Sequence, residues 1–170
     1  MTEQEQIDQF FMLQALAQGQ LAFNSGEVPV GAIVVVGGEV VGRGFNRPIT
    51  QLDPSAHAEV VAIRDAAKTM GNYRLAGATL YVTVEPCAMC AGCLIHSRIE
   101  RLVYATTEPK SGVVESAMNF LDSDFLNHKV SVSAGVMAEQ ASELMSSFFK
   151  MRRENKKKLK QRGNNANVSG

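Results

Sequence analysis

Three cysteines, Cys87, Cys90 and Cys93, fall within seven residues, and the 170-residue chain has no others. Cysteines so close together cannot staple distant parts of a fold, so their thiols are read as metal ligands or redox groups. Thirty residues before Cys87 stands His57-Ala58-Glu59. Thiolate and imidazole are the ligands zinc prefers, arranged as a tetrahedron. Two cysteines three apart on one helical turn can offer both sulfurs to one ion, whereas Cys87 and Cys93 would lie about 9 Å apart along a helix axis. One cysteine is therefore left out. A helix N-terminus lowers thiol pKa values and offers free donors, which favours Cys87 with Cys90 and leaves Cys93 as a small buried apolar filler.

His57 and Glu59 are two apart, so on a helix they project in different directions, and both reach an ion only if it lies off the helix end. His57 then acts as a ligand, while Glu59 approaches from another side to hydrogen-bond a water at the ion. Three protein ligands leave a fourth position open, which marks a catalytic rather than a structural zinc site. A closed site of Cys87, Cys90, Cys93 and one histidine would make a structural-zinc RNA-binding module, but it leaves Glu59 without a task. His96 and His128 are read as packing or surface groups, and Glu85 as a residue that shapes the turn at Pro86.

The elements around these residues follow from periodicity. Ile7, Phe10, Phe11, Leu13, Leu16, Ala17 and Leu21 recur at mostly helical intervals before Asn24-Ser25-Gly26, which predicts a first helix. VPVGAIVVV and EVVGRGF are β-branched runs meeting at Gly37-Gly38, the pattern of an antiparallel hairpin. Residues 46–56 are polar, and Asp53-Pro54 reads as the cap and first-turn proline of a helix running from about His57 to Met70. ATLYVTV reads as a buried strand, followed by Glu85-Pro86 and a helix-compatible CAMCAGCLIHS that carries the cysteines in its opening turns. Both ligand segments thus sit at helix mouths. RLVYA is a further strand, a loop spans Thr106 to Gly112, and a short strand lies near Lys129 to Ser133. In the last helix Met137, Ala141, Leu144, Phe148 and Met151 form a core-facing stripe. Alternating strands and helices indicate an α/β layered domain.

Hydrophobic residues make up 45% of the chain, enough for a sizeable core. The most apolar stretch, Val28 to Gly38, is far shorter than the roughly 20 residues that span a bilayer. The opening MTEQEQIDQ lacks a signal peptide's basic and apolar regions, so a cytoplasmic protein without a membrane partner is expected. Equal numbers of basic and acidic residues, 17 each, conceal a split. Residues 1–149 carry 9 Lys+Arg against 16 Asp+Glu, net −7, and residues 150–170 carry 8 against the single Glu154, net +7. A basic tail on an acidic body points to a polyanionic partner met at one end. KKKLKQRGNNANVSG loses the apolar stripe and is expected to fray into disorder, which gives a domain over 1–153 and a basic tail over 154–170.

His-x-Glu followed by Pro-Cys-x-x-Cys resembles the signature of zinc-dependent nucleobase deaminases. The segments EVPVGAIVV, GRGFNRP, DPSAHAE, NYRL, ATLYVTVEPCAMCAG, LIHSRI and FFKMRR are similar, in that order, to the bacterial tRNA-specific adenosine deaminase family. The resemblance implies a three-layer α/β fold of the cytidine-deaminase type, with a mixed five-stranded sheet flanked by helices, and a homodimer. It implies hydrolysis of the wobble adenosine of a tRNA anticodon stem-loop to inosine, with loss of ammonia. Carried over by position, it implies Zn2+ on His57, Cys87 and Cys90, Glu59 as proton shuttle, and Asn46 as a hydrogen-bonding partner of the target nucleoside. It also implies that Phe149, Arg152 and Arg153 belong to a C-terminal helix region that meets the tRNA. The sequence departs from the family's frequent residues at Ala105-Thr106-Thr107-Glu108 and at Glu115, so the resemblance does not carry over contacts to the nucleotides flanking the target. A deaminase of the same fold acting on free cytosine, guanine or a deoxynucleotide is the nearest alternative, and the basic tail argues against it.

Overall fold

β1 (Gly31–Val36) and β2 (Glu39–Phe45) form the expected antiparallel hairpin, turning at Gly37 and Gly38 with φ of 59° and 78°. Glycine enters that left-handed region without steric cost. On its other side β1 pairs antiparallel with β3 (Thr79–Val84), and β4 (Arg101–Thr106) and β5 (Ser131–Ala134) continue parallel to β3. The mixed sheet therefore has the order β2-β1-β3-β4-β5 in this computed structural model, which describes residues 1–168.

Among the described residues five α-helices flank the sheet: α1 (Glu3–Asn24), α2 (Pro48–Gln51), α3 (Ala58–Met70), α4 (Ala88–His96) and α5 (Ala138–Val168). Alternate strand residues face opposite layers, as the two-residue period requires. Ile33, Val35, Tyr81, Val103 and Ala105 pack with Phe11, Met12 and Ala15 of α1 and Ala141 of α5. Ala32, Val34, Leu80, Val82, Leu102 and Tyr104 pack with Ala62, Ile63 and Ala66 of α3 and Ala91 and Leu94 of α4. The three-layer α/β expectation holds. On β2, a Cβ added at Gly42 would lie 2.3 Å from Ala62 O, and one at Gly44 would lie 2.6 Å from Ala58 O. The absent side chains let α3 lie directly on β2, which fixes the height of its N-terminus above the sheet.

A buried ion pair ties α1 to the sheet. Asp8, 3% exposed, accepts two hydrogen bonds from Arg101 at 2.8 and 2.7 Å and one from Tyr81 Oη at 2.8 Å. Burial alone would raise the Asp8 carboxyl, but the Arg101 and Tyr81 hydrogen bonds outweigh it and hold the pKa below the usual carboxylate value.

Three expectations need correction. Asp53-Pro54 does not open α3. Asp53 Oδ1 is satisfied locally by Ser55 N–H at 2.9 Å and Ser55 Oγ at 2.7 Å, so it closes a tight turn instead. Within the polar segment 46–56, α2 forms where the Ile49 and Thr50 amides donate to the buried Glu27 carboxylate at 3.2 and 2.7 Å. Met137 precedes α5 with φ 58°, although it still packs on the α1 side of the core. The expected loss of order after Arg153 does not occur, since α5 continues to Val168. Residues 154–162 are mostly Lys, Arg, Gln and Leu, which propagate a helix already nucleated and anchored by its packed first half. The expectation for Ser169 and Gly170 lies outside the described residues.

Candidate active site

The hairpin leads through α2 to α3, and β3 leads through Glu85-Pro86 to α4, so two helices begin side by side. His57 is the N-cap of α3 and Cys87 the N-cap of α4, both with extended backbone (φ −74°, ψ 152° and φ −80°, ψ 177°), and Cys90 lies one turn into α4. His57 Nδ1 lies 3.6 Å from Cys87 Sγ and 3.5 Å from Cys90 Sγ. A tetrahedral zinc with bonds of about 2.3 Å to sulfur and about 2.05 Å to nitrogen separates its S and N ligands by about 3.6 Å. The three ligand atoms, all within 4.8 Å of one another, therefore fit one zinc ion with its fourth position free.

The rival ligands stand elsewhere. Cys93 packs against the core under α4, where burial pushes its thiol up. His128 Nε2 is 2.8 Å from Ile99 O, and His96 is exposed at the far end of α4. The adjoining Cys90 thiol draws the Cys87 pKa down to about 3, and Cys90 is pushed up in turn by Cys87 and by burial. His57 is raised by its hydrogen bond to Cys87. A divalent cation bound here takes the place of the protons on the cysteine thiols and the imidazole nitrogen.

Glu59 is in the first turn of α3 and only 4% exposed. Burial pushes its carboxyl above the ordinary glutamate value. It is not among the three clustered ligands. Asn46 Oδ1 accepts from Ala58 N–H at 2.8 Å, which leaves its Nδ2 amide without a protein partner among the described residues.

A cavity of about 350 Å³ at the end of β3 is lined by Val84, three residues before Cys87 in the chain, by Thr106, Thr107 and Glu108, and by Phe149 and Arg153 of α5. Phe149 is held edge-on by Phe148 at 5.6 Å, and Phe148 in turn packs on Phe23 at 5.5 Å. Arg152 lies 5.5 Å over the Phe148 ring and, with Arg153 and Lys156, lines a wider groove of about 600 Å³. Phe149 and Arg153 thus meet the divergent 106–108 segment, while Arg152 lies along the adjoining groove.

Glu85 differs from expectation. Its carboxylate does not serve the Pro86 turn but accepts from the backbone of Glu108, Val114, Glu115 and Ser116. No local pattern announces partners 23 to 31 residues away. Glu115, the other divergent residue, accepts from Tyr104 Oη.

Residues 6–153 match the MafB19-like deaminase family. The chain is 46% identical over 153 residues to the tRNA-specific adenosine deaminase of Haemophilus influenzae, covering 89% of this chain and 88% of that one. The chain belongs to the tRNA-specific adenosine deaminase family. The Bacillus subtilis tRNA-specific adenosine deaminase is 41% identical over 150 residues, covering 88% and 93% of the two chains. A solved tRNA:A34 deaminase, described for A-to-I editing at the wobble position of transfer RNA, superposes with TM-score 0.77 at 41% identity over 79% of this chain and 98% of that one. In this deaminase the family match ends at Arg153, although α5 runs 15 residues further.

Proposed function

We propose that this deaminase hydrolyses the wobble adenosine of a tRNA anticodon stem-loop to inosine, with release of ammonia. The observation that carries the reading is the open tetrahedral donor set of His57, Cys87 and Cys90 beside the buried carboxylate of Glu59, in a chain 46% identical to a tRNA-specific adenosine deaminase. Zinc held by those three residues supplies, when bound, the Lewis acidity that makes water a nucleophile at neutral pH. Glu59 takes one proton from the water and delivers it to adenine N1 as C6 becomes tetrahedral, then takes the second from the new C6 hydroxyl and gives it to the amine, which leaves as ammonia while the C6 carbonyl forms. Its burial disfavours the charged form, which favours taking up a proton again after each delivery. Asn46 donates from Nδ2 to the target nucleoside. The target leaves its stack to reach a site of this depth, which restricts the substrate to loops and single strands.

Phe149, Arg152 and Arg153 receive the rest of the anticodon loop, with the catalytic unit spanning 1–153 and the basic segment 154–170 running beyond it. The working form is a homodimer in the cytoplasm. Ile49, Leu52 and Met89, apolar residues beside the two helix mouths that are 58%, 90% and 40% exposed, support a second copy covering that face. No helix among the described residues is long and apolar enough to cross a membrane. The test is to incubate the protein with an anticodon stem-loop bearing a wobble adenosine and, separately, with free adenosine, cytosine and guanine. Inosine is expected from the stem-loop, and preferential turnover of a free base would instead establish the small-molecule alternative.

A further inference from the structure

Glu85 lies between the end of β3 and the proline that precedes Cys87, is 3% exposed, and has no part in the reaction as described. Oε1 of its carboxylate accepts from Glu108 N–H at 3.0 Å and from the Ser116 hydroxyl. Oε2 accepts from the N–H groups of Val114, Glu115 and Ser116 at 3.0, 2.9 and 3.0 Å. Two backbone bonds reinforce the join, from Glu85 N–H to Thr106 O at 2.9 Å and from Val113 N–H to Pro86 O at 3.0 Å. An irregular loop that turns its amides inward leaves them orphaned unless something accepts from them, and here one carboxylate serves four. Gly112 permits the closure, because a Cβ there would lie 2.4 Å from Glu85 Cδ and 2.7 Å from Glu108 O. Five donors on two oxygens also leave Glu85 no free lone pair with which to handle a substrate proton.

The loop wrapped on this carboxylate supplies Thr107 and Glu108 to the 350 Å³ cavity, opposite Phe149 and Arg153. An exposed aromatic face beside a guanidinium is the pair that takes an unstacked base and its phosphate. The position of that wall is therefore set by the residue two before a zinc ligand. We propose that Glu85 is a positioning residue for RNA recognition: its carboxylate holds the Thr106–Glu108 wall, against which the nucleotide beside the target rests, in register with the Cys87 turn. The inference rests on the RNA-deaminase reading above. Its chemical basis is that a flipped base and its neighbour are joined by one sugar-phosphate step, so the two subsites work together only at a fixed separation, and a misplacement of about 1 Å is costly.

Glu85→Gln tests the proposal selectively. The amide oxygen can keep the three N–H groups of residues 114–116, and the new NH₂ can donate to Ser116 Oγ once that hydroxyl turns. Glu108 N–H alone is left facing a donor, so the variant frees the cavity wall while the rest of the loop stays anchored. Zinc content and thermal unfolding should stay near wild type, kcat for a stem-loop RNA should stay within about 3-fold, and KM should rise at least about 10-fold. Discrimination among stem-loops that differ only beside the target adenosine should shrink. Unchanged KM and selectivity, a fall in kcat alone, or loss of zinc would each overturn the proposal. Should Glu85→Gln fail to fold, Gly112→Ala decides by the same readouts, since its methyl presses on Glu85 Cδ and displaces the same wall. A wild-type protein that deaminates no RNA refutes the underlying function, a result independent of either variant.

Discussion

Asn46 Oδ1 accepts the Ala58 amide proton at 2.8 Å, so the side chain assigned to the target nucleoside also caps the helix that carries Glu59. The two tasks use opposite ends of one amide and can be separated. Asn46→Asp keeps the cap acceptor and loses the donor, so its unfolding free energy should change little while kcat/KM falls by about 10²-fold or more. Asn46→Ala loses both, and its stability should fall by about 1 kcal/mol as well. Parallel melting curves and stem-loop kinetics on the two variants make the check. Equal activity loss with equal destabilisation would reduce Asn46 to a cap.

The ligand assignment separates the three cysteines. Cys87→Ser and Cys90→Ser should lose stoichiometric zinc, whereas Cys93→Ser, whose sulfur only packs under α4, should retain both metal and activity. Metal analysis of the three purified variants decides it, and a metal-free Cys93→Ser protein would show that a different sulfur pair holds the ion.

Asp8 predicts a defined acid response. Its folded pKa is depressed, so the Asp8–Arg101 pair contributes stability that is full above the unfolded carboxylate value, about 3.9, and is lost as pH falls through the lower folded value. Arg101→Met should cost on the order of 3 kcal/mol at pH 7, because it strands a buried carboxylate. Denaturant titrations from pH 7 downward should show the gap between wild type and Arg101→Met narrowing already above about pH 4, where the stranded carboxyl, raised by burial, protonates in the folded variant, and narrowing further below it as Asp8 of the wild type protonates. A gap that stays constant through that range would mean the ion pair adds no pH-linked stability.

The clustering of His57, Cys87 and Cys90 was legible in the sequence because His57 and Cys87 stand at helix mouths and Cys90 follows Cys87 by a three-residue step. The hairpin was legible because the β-branched runs VPVGAIVVV and EVVGRGF meet at Gly37-Gly38, and β1 is buried on both faces. The cap of α3 was not, because the local candidate Asp53 is satisfied by Ser55, and Asn46 reaches Ala58 only once Gly42 and Gly44 bring α3 onto β2. The partners of Glu85 were hidden for the same reason, since they come from a loop that arrives after another strand. The continuation of α5 past Arg153 reflects propagation from a packed helix, which composition alone does not register.

The basic part of α5 should act on affinity rather than on chemistry. Removal of residues 154–170 deletes five cations, Lys156, Lys157, Lys158, Lys160 and Arg162, and leaves Phe149, Arg152 and Arg153 in place. For every phosphate that this removal leaves unpaired, the plot of log affinity against log salt should flatten by about 0.7 for single strands. KM for a stem-loop should rise while kcat changes little, because nothing at the zinc site is touched. Full affinity with an unchanged salt slope would make the segment a solubilising extension.

The central claim is that zinc on His57, Cys87 and Cys90 and a proton-carrying Glu59 together release ammonia from a tRNA. The most direct measurement is zinc stoichiometry and ammonia release, made together on wild type and Glu59→Ala with a tRNA carrying a wobble adenosine. One zinc per chain is expected in both proteins, with ammonia release from the variant lower by at least about 10²-fold. Zinc lost with Glu59, or ammonia released as fast without it, would contradict the account.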